Sequence, residues 1–281
     1  MPGRRLLITH RTGFRYADVV DASFNEVRMT PLTGDGQVLL SHTLDVQPSA
    51  QLQSYTDYWG AHVEAFDVHV PHRLLEIVAI STVETPPMPE AVPGGTWADT
   101  LAPEAQDLWS EFLMPTDYVA LTLTDQRAEI VSGMTAAPTP GDAARLAVEH
   151  VRERITYQPG ATDVTTTATQ AWAAGGGVCQ DFTHATLSLL RAARIPARYV
   201  SGYLHTEEPA VGDTVVGESH AWVEYWDAGW HAVDPTNDRA VGSAHVIVAR
   251  GRDYADVPPL KGIYAGGQSE GLGVSVEITQ L

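Results

Sequence analysis

Residues 175–196 read GGGVCQDFTHATLSLLRAARIP, and the fold turns on how this stretch is read. Phe182, Ala185, Thr186, Leu189, Leu190 and Ala193 recur three and four positions apart, which is one apolar face of a helix. Ile195-Pro196 ends it, because proline disfavours helical backbone at the residue before it. Cys179, the single cysteine of the 281 residues, therefore lies in the first turn. The unsatisfied N–H groups there, and the positive end of the dipole, favour a negatively charged sulfur. Taken alone, such a thiol is more often a small buried apolar residue. One cysteine can form neither an intramolecular disulfide nor a cysteine-rich zinc site.

The segment that follows supplies what a reactive thiol needs. Ala197 to Leu204 reads as a strand, and HAWVEYW, DAG and WHAVDP read as strand, short turn and strand. If Asp227-Ala228-Gly229 is the turn, Trp222 faces Asp234 and His220 is the diagonal neighbour of Asp234 on the same face, about 7–8 Å away at Cα. A bulge at Gly229 would bring the two directly opposite. A carboxylate on one imidazole nitrogen fixes the tautomer and leaves the other to take a thiol proton. Gln180 and Asp181 flank the cysteine as supporting residues, and the helix dipole alone favours a first-turn aspartate. Trp222 and Trp230 share the His220 face by parity, where they either wall an acyl-substrate tunnel or fill core.

Around this centre the chain divides. Residues 1–85 read as a small antiparallel β domain: Gln37 to Val46 alternates with period two, Phe66, Val68 and Val70 do the same, and Leu74 to Val83 is continuously apolar, as in a strand covered on both faces. Residues 86–98, within and after TPPMPEAVPGG, form a Pro/Gly-rich linker. Residues 99–281 form the second domain, which opens with helical spacing over Pro103–Leu113 and Gly141–Ile155, Asp142 being placed as N-cap. The fold class is α+β, a helix bearing the cysteine packed on an antiparallel sheet bearing the histidine and aspartate.

Composition sets limits on function. With 44% hydrophobic and 19% charged residues the chain is an ordinary globular one. A formal net charge of −18 argues against nucleic acid and anionic membrane surfaces as partners. The apolar run near the N-terminus is only three residues long and no run of about 18 apolar residues occurs, so a cytoplasmic location is expected. His62, His69 and His72 fit no strong zinc motif and no calcium loop is present, so neither metal nor cofactor is expected.

GGGVCQDFTHATLSLLRAARIPARYVSGY, SHAWVEYW and GWHAVDPTND together resemble the motifs of the bacterial transglutaminase-like superfamily. ITYQPGATDVTTTATQAW and GRDYADVPPLKGIY fit the same pattern, and SFNEVRMTP with DVHVPHRLLEIVAISTVE resembles the β domain that commonly precedes such cores. The resemblance implies a papain-like triad: Cys179 as nucleophile, His220 as general base and acid, Asp234 as orienter. It implies acyl transfer from the amide bonds of a protein or peptide through a thioester, resolved by water in a peptidase or amidase or by an amine in a true transglutaminase. A non-catalytic binding module that keeps the fold is the alternative from another class. The loop Ala173–Gly177 lacks the charged residue many relatives carry there. Trp172 lies too near the cysteine to take the oxyanion-assisting role of the tryptophan in animal members. The backbone N–H of Cys179 is expected as one oxyanion donor, and the second is left open.

Overall fold

The structure is a computed structural model that describes residues 3–87, 94–120, 125–205, 211–266 and 268–281. The N-terminal part is built on β1 (Arg5–Val27), β2 (Val38–Gln47), β3 (Gln53–Thr56), β4 (His62–Val68) and β5 (His72–Glu84). β5 lies between β1 and β2, all antiparallel, and β3 adds to β4. Val27, Met29, Val46, Phe66, Val68, Leu75 and Ile77 form its core.

Two strand readings change on contact with this sheet. The β2 ladder shifts register between Leu39 and Ser41. Leu40 is therefore turned out, 47% exposed, while Leu39 packs on the core, the reverse of the uniform alternation expected. A bulge inverts parity, and beyond it Leu44 and Val46 face inward as predicted. β5 is covered on one face only: Leu75, Ile77, Ala79 and Val83 are buried and Leu74 and Ile80 exposed. A run of apolar residues carries no information about how many faces have a neighbour.

Of the expected linker, residues 88–93 lie outside the described residues. Its end is regular: Thr96 caps α1 (Trp97–Thr100) through a box with Asp99. α2 (Pro103–Leu108) continues into a 3₁₀ turn at Ser110–Phe112. α3 (Asp125–Thr135) and α4 (Pro140–Arg154) follow. The cap of α4 is Thr139, whose Oγ1 accepts the Asp142 N–H at 3.0 Å and donates to the Asp142 carboxylate at 2.9 Å. Asp142, read as the cap, sits in the first turn instead. Pro140 at N1 carried that signal, since its fixed φ suits the first helical position.

β6 (Thr156–Tyr157) pairs in parallel with β7 (Gly176–Gly177), with α5 (Ala168–Ala174) between them. α6 (Cys179–Ala192) is the centre of the core. It packs on β8 (Ala197–Leu204) and β9 (Thr214–Trp226) and against α4 and α5. Gln180 to Arg191 are all buried, so the helix is covered all round and not on one face alone. Its polar side answers to backbone: the Arg191 guanidinium donates to the carbonyls of Ala197 and Met114. Burying Phe182, Leu189 and Leu190 contributes about 1.5–3 kcal/mol each, and Leu190→Ala would cost roughly 2–5 kcal/mol.

The sheet continues through β10 (Trp230–Asp234), β11 (Arg239–Ala240) and β12 (His245–Gly251), the last pairing with β8. The chain closes with β13 (Leu260–Gly266) and β14 (Ser269–Gln280). A division at residues 85 and 99 leaves these last strands with the second domain, yet both hydrogen-bond to β1. β14 also pairs with the start of β9. One antiparallel sheet thus runs from the N-terminal strands into the half that holds Cys179. Among the described residues no helix is long and apolar enough to cross a membrane.

Candidate active site

Cys179 is the first residue of α6, and its setting is fixed by Asp181 and Gly177. The Asp181 carboxylate accepts the Val178 N–H at 2.8 Å and the Thr162 hydroxyl at 2.6 Å. One of the four orphan N–H groups of the helix start is thereby satisfied. A Cβ on residue 177 would stand 2.5 Å from Asp181 Oδ2, so only glycine lets the carboxylate fold back over the turn. Burial pushes the Asp181 carboxyl up, against the hydrogen bonds from Thr162 and Val178. Gln180 donates to the Val164 carbonyl at 3.2 Å and so ties the preceding loop to the helix. Both side chains hold the start of α6 and the loop before it in place.

The hairpin delivers the other two side chains. Trp230 pairs with Trp226, His231 with Tyr225 and Val233 with Val223, without a register shift. That is the register the Asp227–Gly229 turn predicts, with no bulge needed. Extending it, His220 and Asp234 are diagonal, and His220 Nε2 lies 2.9 Å from Asp234 Oδ2. Ala228 takes the left-handed conformation at φ 56°.

Asp234 is saturated with hydrogen bonds. Its Oδ1 accepts the N–H groups of Thr236 and Asn237, each at 3.1 Å. Its Oδ2 accepts, besides His220, the Asn237 amide at 2.8 Å and His245 Nε2 at 3.4 Å. Burial alone would push this carboxyl up, but the hydrogen bonds from His220 and His245 hold it far below the usual carboxylate range. At His220, burial pulls the imidazole down, while the bonds to Asp234 and to Cys179, with their charges, outweigh it and raise the pKa to about 9. With Nε2 on the carboxylate, Nδ1 is the nitrogen left for the sulfur. This geometry can hold an imidazolium beside a thiolate.

His220, Asp234 and His245 also offer three ligand atoms within 4.8 Å of one another. They do not fit a metal. The Gly242 N–H donates to His245 Nδ1 at 3.3 Å, which makes Nε2 the protonated nitrogen and a donor to the carboxylate. The three groups are committed to one another by hydrogen bonds.

Of the remaining residues singled out in the sequence, Trp222 is fully buried and stacks on the His220 ring at 6.1 Å, so it backs the histidine. Trp230 lies elsewhere, in a cluster with Trp109, Phe112 and Trp226 and with the Arg198 guanidinium 3.9 Å over its ring. Parity placed it on the right face but too far along the strand to reach the site. The three histidines of the β domain are dispersed: His62 is beside Glu64, His69 against Phe24 and His72 against Tyr16.

Two further groups escaped sequence reading. His245 arrives from β12, outside the hairpin arithmetic, and Asn237 was legible as part of the PTN run but had no role to mark it. A cavity of about 230 Å³ opens over Cys179 and His220, lined by Tyr199 and Tyr254 from the core and by His10, Thr12 and Val274 of β1 and β14. The strands of the N-terminal sheet thus form one wall of the cleft.

Residues 6–84 match the family described as the bacterial transglutaminase-like N-terminal region, and residues 128–235 match the transglutaminase-like superfamily. The chain is 40% identical over 278 residues to an uncharacterised protein of Mycobacterium leprae, covering 99% of each. It is 45% identical over 65 residues to a protein-glutamine gamma-glutamyltransferase of Pseudomonas aeruginosa, a stretch covering 21% of this chain and 10% of that protein. A solved structure from Cytophaga hutchinsonii, described as a candidate cysteine protease, superimposes with a TM-score of 0.77 at 18% identity, covering 100% of this chain and 99% of that one. At that identity the likeness is one of fold.

Proposed function

We propose, from the premise that this chain belongs to the transglutaminase-like superfamily, that it is a cysteine-dependent enzyme acting on amide bonds of a protein or peptide. The observation that carries this reading is the His220 imidazole set between Cys179 and Asp234 with its pKa raised to about 9. Cys179 Sγ attacks the amide carbon, forming the C–S bond and moving the carbonyl π pair onto oxygen. His220 Nδ1–H gives its proton to the departing amine as the C–N bond breaks, leaving a thioester. His220, now neutral, takes a proton from water; the hydroxide adds to the thioester and expels the thiolate. Asp234 holds the ring orientation throughout and stabilises its charge.

Water is the acceptor we favour, because it reaches an open cleft without a binding site of its own. An amine acceptor is the second reading, and the short local identity with the Pseudomonas aeruginosa gamma-glutamyltransferase favours it. Mass spectrometry of a glutamine-containing peptide, incubated with and without a primary amine, separates the two. Backbone cleavage or deamidation supports hydrolysis, an amine conjugate supports transfer, and in either case Cys179→Ala should abolish the product. Turnover retained in Cys179→Ala would overturn the mechanism, and no turnover across a peptide and amide library would favour a binding module.

A further inference from the structure

We propose that the Tyr199 hydroxyl is the second oxyanion donor, binding the carbonyl oxygen of the tetrahedral intermediate alongside the backbone N–H of Cys179. This rests on the reading of Cys179 as nucleophile. Tyr199 stands on β8, opposite Val223 of β9, two residues along from the Ser201–Ala221 pair that adjoins His220. It lines the same cavity as Cys179 and His220. The side chain is almost wholly buried, and its ring is held by His184 at 5.2 Å, which packs in turn on Tyr118 at 5.1 Å. A donor held so firmly needs little reorganisation when charge develops.

The hydroxyl is also free for the task. Among the described residues no hydrogen bond engages it. Cys179 is among the groups whose charge would act on it, with Tyr254, Asp181 and Asp253. The side-chain amide of Gln180, another polar group beside the cysteine, is engaged with the Val164 carbonyl. Burial pushes the Tyr199 phenol well above its ordinary value, so it stays protonated and acts as a neutral donor. When the thiolate attacks, the C–S bond forms and the π pair moves to oxygen, where two hydrogen bonds receive it. No proton leaves Tyr199, and the pair returns to the carbonyl as the leaving group departs.

The test compares two reactions of one sulfur. Acylation of Cys179 by p-nitrophenyl acetate, read as the pre-steady-state burst of p-nitrophenolate, passes through a tetrahedral oxyanion. Alkylation by iodoacetamide displaces iodide and forms none. Tyr199→Phe removes a hydroxyl that bonds nothing among the described residues, so its Tm should match wild type. Its acylation rate should fall by about 10²-fold, the effect of losing one oxyanion donor, with alkylation within about twofold of wild type. Unchanged acylation, or an equal fall in both reactions, would overturn the assignment. A burst that persists in Cys179→Ala would instead overturn the nucleophile reading, independently of Tyr199.

Discussion

His220 at the sheet and His184 inside α6 are both buried, with exposures of 5% and 0%, yet their surroundings move their pKa values in opposite directions. At His184 burial lowers the pKa to about 3, the nearby Arg191 adding to the effect, and Nε2 accepts the Tyr254 N–H at 3.2 Å. At His220 burial acts in the same sense, but Asp234 and Cys179 reverse it and the pKa rises to about 9. The difference lies in the partner. A ring that accepts from a backbone N–H is fixed as a neutral core group, whereas one that donates to a buried carboxylate becomes a charge carrier. The interior of α6 thus holds its histidine neutral, whereas the β9–β10 edge favours a protonated one.

The sharpest break in that contrast is Asp234→Asn, which removes the charge while keeping shape. It should lower turnover by up to about 10⁴ if Asp234 acts as the serine-enzyme aspartate does, measured on whichever amide substrate the peptide assay yields. His184→Ala should act on stability instead. It removes the ring between Tyr118 and Tyr199 and strands the Tyr254 N–H, for a loss of roughly 2–4 kcal/mol in denaturant unfolding.

The two regions should also separate with pH. A histidine with a raised folded pKa stabilises below its unfolded value near 6.5, and loses that contribution as pH climbs through about 9. Those with lowered values, His184 at about 3 and His10 at about 4, stabilise above 6.5 and lose that contribution as pH falls through the values below it. Thermal melts should therefore peak near 6.5, declining from there towards about 9 as the His220 contribution is lost and declining below 6.5 as those of His184 and His10 are lost. In His220→Gln the alkaline fall should shrink while the acid one stays. The smallest effect is expected at Asn237→Ala, which removes one of three donors to Asp234 Oδ2. The net value of such a bond, about 1–1.5 kcal/mol, corresponds to roughly tenfold in rate.

Much of this edge was legible in the sequence because it is local. A turn at Asp227–Gly229 fixes the pairing of its own strands, and parity then places His220 near Asp234 with no knowledge of the rest of the chain. The start of α6 is local in the same way, through periodicity and Ile195-Pro196. His245 was not legible, because its approach to Asp234 depends on β12 returning beside β8. The pairing of β13 and β14 with β1 joins the two ends of the chain, and no spacing rule reaches that far. Leu40 and Asp142 failed for smaller reasons: a bulge inverts alternation without a sequence mark, and Thr139-Pro140 outcompetes an aspartate one turn later as a cap.

The central claim is that His220 carries a proton at neutral pH because Asp234 and Cys179 hold it there. Long-range ¹H–¹⁵N spectra of histidine-labelled protein, titrated from pH 5 to 10, report this directly. The account predicts that both ring nitrogens of His220 are protonated at neutral pH, with a transition at about 9 that moves down in Asp234→Asn and in Cys179→Ala. A His220 that titrates at or below 6.5 in the wild-type protein, or that is unmoved by either substitution, would contradict it.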